Sequence, residues 1–321
     1  MRLPKIFKRV LTAGLAFAFA VGVAGCGNDD KGGMINIATG GTAGTYYPIG
    51  GAIADVLSKN VEGINASAQS TGASVANINM LKEGEVDLAI VQNDIAYYAV
   101  NGTDMFDKKV DNLRAVASLY PETCQFVTLE SSDVRSVADL KGKKVAVGAA
   151  GSGVEANVRQ ILKAYGLTYD DIDEQFLSFA EGAAALKDGA VDVACLTAGT
   201  PTASVQDVAS QHKIRLIPLT NDRIEQLIAE YPFYTKTIIP AGTYQGFDED
   251  IQTVSVMAIL VANDKVSDER GYAITKAIFD NLDKIQASHA AANKIQKDTA
   301  TNGLDFMQMQ KGADKFYKEQ K

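Results

Sequence analysis

Two histidines, His212 and His289, and three cysteines are all that 321 residues provide of these side chains. No Cys/His spacing suited to zinc can be assembled from so few. Both histidines stand in polar surroundings and read as surface residues, and neither neighbours a nucleophile in a motif. A G-x-S-x-G elbow is missing, as is any pair of carboxylates placed for acid–base chemistry. These absences favour binding over catalysis and call for no metal and no cofactor. Cys124 and Cys195 sit in apolar runs and read as buried thiols. One disulfide between them stays open, because an oxidising compartment would allow it.

Beyond the first 25 residues no apolar run is long enough to cross a bilayer, which takes about 20 residues. The start of the chain has a different character. Met1 to Val10 carries Arg2, Lys5, Lys8 and Arg9 and no acid, and Leu11 to Val23 is a short apolar segment. Small residues then lead to Cys26. Basic, apolar and small-residue segments in that order make a secretory signal. Val23-Ala24-Gly25-Cys26 resembles a bacterial lipobox, in which the cysteine is lipidated and becomes the new N-terminus. Residues 1–25 are thus expected to be a lipoprotein signal peptide, and 26–33, polar and Gly-rich, a flexible tether. The rest would hang outside the cytoplasmic membrane, lipid-anchored on its outer face or in the periplasm. Removing the four basic residues leaves 27 Lys and Arg against 39 acids, a net charge of −12. Such a balance argues against nucleic acid and against electrostatic adhesion to anionic lipid.

What is abundant is glycine, threonine and alternating β–α pattern. Ile35 to Ala38 is a short apolar run, Thr39 to Thr45 a Gly/Thr loop, and Pro48 opens a helix with Ile49, Ile53, Val56 and Leu57 on one face. A strand, a Gly-rich loop and a helix N-terminus form a natural seat for an anion. The loop matches neither nucleotide fingerprint: it lacks the Walker lysine, and Thr39 stands where a Rossmann loop has its first glycine. Ile64–Ala68, a helix through Val75 to Leu81, Val86–Val91 and a helix carrying Tyr97 and Tyr98 complete a β-α-β-α-β unit. Leu113–Tyr120 reads as a strand ending at Pro121, and Phe126–Leu129 as another. A second unit follows: Lys144–Gly148, a Gly-rich loop at Gly151 to Gly153, a helix to Tyr165, a strand at Phe176–Ser178, a helix over Glu181–Lys187, and Val191–Leu196. The stretch Leu81 to Ala89 repeats as Leu186 to Ala194, and the Gly-rich loops at Gly44 and Gly151 recur at nearly the same spacing. Two similar lobes follow from two units in register.

Ligands of open parallel sheets bind beyond the carboxyl ends of the strands. Those ends carry the candidate site: Thr42, Gly44, Thr45, Tyr46, Ser70, Gln92, Asp94, Ser152, Gly153, Thr200 and Pro201. They offer hydroxyls, amides and backbone N–H groups to a compact polar solute. Ser152 with Glu155 also fits a helix capping box, and Asp94 fits an N-cap. No strand end carries Lys or Arg. Arg114, at the start of the crossing strand, is the one cation that could turn into the cleft, or else pair with Asp111 at the surface. The lobes are expected to divide into 34–117 with 253–321, and 118–252, with Thr253–Val261 carrying the chain back and Gly271–Ile285 a helix on the first lobe.

The stretch from Ala38 to Pro48, Leu119-Tyr120-Pro121-Glu122, Asp139 to Gly142, Val147 to Gly153 and Ala198 to Pro201 together resemble the TAXI subgroup of receptors for TRAP transporters. That resemblance implies an α/β, two-lobed periplasmic-binding-protein fold of class II, each lobe a mainly parallel sheet flanked by helices. It implies a monomer that passes a small carboxylated solute, of the glutamate, glutamine or dicarboxylate class, to an integral membrane TRAP permease. Ala150 and Val154 depart from the subgroup's usual proline and threonine. A lipid-anchored sensor or surface binding protein without a transport role is the alternative, an enzyme a more distant one.

Overall fold

The computed structural model describes residues 33–320. The signal segment, Cys26 and most of the tether lie outside the described residues. The first unit folds as β1 (Gly33–Ala38), α1 (Tyr46–Asn60), β2 (Ile64–Gln69), α2 (Ser74–Glu83), β3 (Leu88–Gln92) and α3 (Asn93–Asn101). Ile49, Ile53, Val56 and Leu57 are buried along one side of α1, as their helical spacing requires. Burying each such side chain contributes roughly 1.5–3 kcal/mol. At Gly50 an added Cβ would lie 2.4 Å from Thr39 Cγ2, so glycine is what lets α1 settle on the end of β1. Helices α2 and α3 stop at Gly84 and Gly102, both in the left-handed conformation.

Strand β4 (Leu113–Leu129) runs 17 residues without a break, so the two strands expected on either side of Pro121 are one. Pro121 is opposite Met257, whose N–H donates to Asn93 Oδ1 at 3.0 Å. The proline's missing donor interrupts a ladder already diverted at that point, and the backbone stays extended through it. After a 3-10 turn at Val137–Leu140 come β5 (Lys144–Ala146), α4 (Gly153–Ala164), β6 (Asp173–Gln175), α5 (Phe179–Lys187) and β7 (Val193–Ala198). The expected strand at Phe176–Ser178 lies three residues too late. Asp173–Gln175 pairs with β5, while Ser178 closes a capping box with Glu181 and starts α5.

The chain then forms α6 (Ala203–Gln211), β8 (Ile214–Leu216), α7 (Asn221–Glu230) and β9 (Thr235–Ile239) before β10 (Ile251–Asn263) returns. α8 (Asp268–Asp280) and α9 (Leu282–Gln286) replace the single helix expected over 271–285. The break is at Asn281, whose Nδ2 caps the carbonyl of Ala277 at 2.9 Å. α10 (Lys311–Glu319) closes the described chain.

Hydrogen bonding orders the strands β2-β1-β3-β10-β4-β7-β5-β6, with β8 on β4 and β9 on β10. The parallel trios β2-β1-β3 and β6-β5-β7 have the same internal order, which is the repeat seen in the sequence. Between them β4 and β10 run antiparallel through both halves. Val116, Ala117, Leu119 and Tyr120 pack with α1 and α8, while Cys124 and Phe126 pack with α4 and α7. Each half therefore has its own core, and β4 serves both. Cys124 and Cys195 are buried free thiols; burial pushes Cys124 up to about 12. His289, expected at the surface, is half-buried, and its Nδ1 accepts from Ala291 N at 3.0 Å. No helix among the described residues is long and apolar enough to cross a membrane.

Candidate functional site

The loops following all six parallel strands line one cleft between the halves. Gly40, Gly41 and Gly44 to Tyr46 come from the end of β1, Thr71 to Ser74 from β2, Gln92 from β3, Ala149 and Ser152 from β5, Ser178 and Phe179 from β6, and Thr197 and Ala198 from β7. The cavity measures about 70 Å³, room for several waters or one compact solute.

Helices α1 to α5 begin at this cleft, and their ends differ; α3 follows Gln92 and carries Asp94 in its first turn. α4 and α5 are capped from within: Glu155 N donates to Ser152 Oγ at 3.3 Å and Glu181 N to Ser178 Oγ at 3.4 Å. α1 and α2 have neither a side-chain cap nor an acid in the first turn. Thr45 precedes α1, but its hydroxyl donates to the Gly199 carbonyl at 3.2 Å, across the cleft. Ala73 precedes α2 and cannot cap; it is held at φ 72, a conformation unfavourable for a side-chain-bearing residue. The surrounding bonds hold it there: Ala73 N donates to Thr71 Oγ1, and Asn77 Nδ2 donates to Ile90 O at 2.8 Å. Two helix N-termini thus face the cavity with their first-turn N–H groups free of side-chain acceptors.

A carboxyl stands beside them. Glu122, 2% exposed, lines the cleft from the middle of β4. Tyr46 OH donates to its Oε2 at 2.8 Å and lies 3.4 Å from Ser74 Oγ. Burial holds Glu122 well above the ordinary carboxylate range, and raises Tyr46 and Tyr120 likewise. Neither Lys, Arg nor His is among the lining residues. Arg114 lies at the far end of β4, donating to the carbonyls of Asp111 and Leu113 and standing 3.6 Å from Asp264. It does not turn into the cleft.

The halves are in contact around this cavity. Gln92 Nε2 donates to Asn157 Oδ1 at 2.7 Å, and Asn157 Nδ2 donates to Asp94 Oδ2 and to Tyr234 OH, both at 2.9 Å. Gln160 Nε2 donates to Tyr98 OH at 3.0 Å, and Arg159 pairs with Asp104 at 3.1 Å. Asp94 is raised to about 7 because it is buried without a cation.

Of the residues nominated from sequence, Gly44, Thr45, Tyr46, Gln92 and Ser152 line the cleft. Ser152 is also the cap of its own helix. The other six do not line it. Thr42 and Ser70 are exposed on their loops. Asp94 belongs to the contact between halves; it is in the first turn of α3, and Gln92 holds the N-cap position. Gly153 packs against Gln92, where an added Cβ would meet Oε1 at 1.8 Å. Thr200 and Pro201 share a cis peptide beyond the lining. Thr71, beside Ser70 at the end of β2, lines the cleft as well; sequence reasoning missed Ser74, Ser178, Phe179 and above all Glu122. Glu122 is the only acid between Leu113 and Leu129, and a lone acid in an otherwise buried strand was the available signal.

Two halves of repeated build and a cleft at their strand ends define a class II, two-lobed periplasmic-binding-protein-like α/β fold. The chain belongs to the NMT1-like family, whose model matches residues 37–320. Three solved structures share the fold. The alkanesulfonate-binding protein SsuA from Xanthomonas axonopodis pv. citri, bound to MOPS, is 16% identical, with 79% of this chain and 72% of that chain covered and a TM-score of 0.50. PhnD1 from Prochlorococcus marinus, in complex with methylphosphonate, is 14% identical over 82% of this chain and 92% of that one, at 0.52. A putative L-cystine ABC transporter protein from Listeria monocytogenes is 14% identical over 82% and 98%, at 0.51. The expected membership of the TAXI subgroup is corrected by the family match. Of the motifs that suggested it, the stretches at Ala38 to Pro48 and Val147 to Gly153 lead into the starts of α1 and α4, while Leu119 to Glu122 lies inside β4.

Proposed function

We propose that this protein is an extracytoplasmic receptor that closes its two lobes on a compact oxyanion, with small carboxylates as the first class to test, and presents it to a membrane transporter. One observation carries the reading. α1 and α2 point uncapped first turns into a cleft that no cation lines. Charge-assisted bonds to backbone N–H groups are worth roughly 1.5–3 kcal/mol each, so several of them offset the cost of burying the anion. Alkanesulfonate and methylphosphonate, named for two proteins of the same fold, have the same kind of charged oxygen group. We assign lobe I to 34–117 with 253–321 and lobe II to 118–252, hinged on β4 and β10, and Cys26 to the lipid anchor.

The test is mass spectrometry of what the full chain releases on denaturation after purification. The proposal expects a small molecule carrying a carboxylate, sulfonate or phosphonate, which rebinds to refolded protein. A released solute without an acidic group would overturn it.

A further inference from the structure

Glu122 is the one ionisable side chain, apart from Tyr46, among the residues lining the cleft. Its Oε2 is occupied by the Tyr46 hydroxyl. Among the described residues no hydrogen bond reaches its other oxygen, which is not one of the sealed, unpartnered atoms of the interior, and the residue lines the cavity. A carboxylate there would be an anion buried next to the seat of another anion. We propose that Glu122 meets the bound solute as a neutral carboxylic acid, donating a hydrogen bond from Oε1, so that the receptor takes up one proton from solvent as it captures its oxyanion. This rests on reading the cleft as an oxyanion site, and it names a further requirement on the solute. At this pole the solute presents an acceptor, such as a second carboxylate oxygen or a carbonyl, and not an ammonium group.

The surroundings decide between the two states of the carboxyl. Tyr46 on α1 touches it. Tyr120 and Cys124, two residues to either side on β4, are the titratable neighbours on its own strand, and Asp94 on α3 is the other carboxyl close enough to be felt. On β10, Val256 is opposite, and β7, α2, α4 and α5 offer Thr197, Ser74, Ser152 and Phe179, none charged. Of these neighbours Tyr120 and Cys124 stay neutral, and Tyr46, by donating to Oε2, favours the charged form; Asp94 disfavours a second negative charge. Burial pushes Glu122 in the same direction. In an open cleft the carboxyl would regain water and ionise in the ordinary carboxylate range. Closure on the solute then binds one proton: the buffer acid gives it up, and the carboxylate oxygen receives it. In chemical terms the receptor, one oxyanion and one proton make the complex, whose net charge equals that of the free receptor plus the solute plus one.

The experiment uses the full chain at pH 7.5 with acetate, succinate, L-glutamate, methanesulfonate and methylphosphonate as probes, in triethanolamine and in Tris, buffers that are not themselves oxyanions. Calorimetry in the two buffers counts protons taken up, and the affinity is followed to pH 9. The proposal expects uptake approaching one proton and an affinity falling by up to tenfold per pH unit. Glu122→Gln, which keeps a donor in place without needing a proton, should bind at least as tightly as wild type at pH 7.5, with an affinity that does not fall toward pH 9 and no uptake attributable to this position. Asp94→Asn should retain the uptake, which separates Glu122 from the other buried carboxyl.

Binding of an anion with no proton uptake by either wild type or Asp94→Asn overturns the proposal and leaves the oxyanion reading standing. So does L-glutamate bound in preference to succinate, with Glu122→Gln abolishing it, because Glu122 would then be an ionised partner for ammonium. Should Glu122→Gln fail to fold, the wild-type and Asp94→Asn proton counts decide. Failure of every probe to bind overturns the oxyanion reading, and this inference with it.

Discussion

Asp94 ties lobe I to lobe II, and its buried carboxyl makes the stability of this arrangement depend on pH in a direction that can be worked out. It is 1% exposed, accepts from Ile95 N and Asn157 Nδ2, both at 2.9 Å, and has no cationic partner. Burial raises it from 3.8 to about 7. An acid raised in the folded state favours folding when protonated. Its contribution is complete below the unfolded value near 4 and is lost as pH climbs to about 7. A shift of about three units corresponds to at most about 4 kcal/mol across that window. Glu122, raised by burial too, adds loss of the same sign.

Asp94→Asn removes the titration but also one acceptor, since an amide nitrogen cannot accept from Ile95 N or Asn157. That costs about 1 kcal/mol. The variant should be less stable than wild type at pH 4.5, more stable at pH 8, and the two curves should cross between. Urea denaturation at half-unit steps of pH and fixed ionic strength measures this. A wild-type stability that rises from pH 5 to 7, or a variant curve parallel to it throughout, would refute the reasoning.

Thr45→Val removes the buried bond to the Gly199 carbonyl that joins the lobes beside the cleft. Its affinity for the released solute, read by calorimetry, should fall about tenfold, the worth of roughly one hydrogen bond. Arg114→Gln, far from the cleft, should leave affinity unchanged; abolition of binding by Arg114→Gln alone would mean that a salt bridge holds the anion. Gly199→Ala would place a Cβ 2.5 Å from Ala291 Cβ and 3.0 Å from Thr45 Cγ2. It should hold the lobes apart, seen by small-angle scattering as a larger radius of gyration at saturating solute, with a loss of affinity exceeding that of Thr45→Val. An unchanged radius and affinity would show that closure does not pass through this contact.

Much of the architecture was legible because it rests on local pattern. The apolar stripe of α1, the glycines ending α2 and α3, and the repeated unit around Leu81 and Leu186 are written in nearby residues and survive in the folded chain. What resisted reading depends on distant partners. Pro121 looks like a strand terminator until Asn93 is seen to take the N–H opposite it. Phe176 to Ser178 looks like a strand until Ser178 is claimed as the cap of α5. The site divided along the same line. Gly44 to Tyr46 could be placed from the helix start alone. The contact of Asp94 with Asn157, which sets it beside the cleft and not in its lining, could not be read because only the folded chain brings the two together. Glu122 escaped notice because its place in the cleft is set by Tyr46, 76 residues away in sequence.

The account stands on two uncapped helix starts holding an oxyanion without a cation, and the crystal structure of the complex with the released solute tests it most directly. The expected result is acidic oxygens of the solute within about 3 Å of first-turn backbone nitrogens of α1 and α2, between lobes closed as they are here. A solute whose charge is met by a lysine or arginine, or one bound outside the cleft between Thr45 and Ser152, would contradict it.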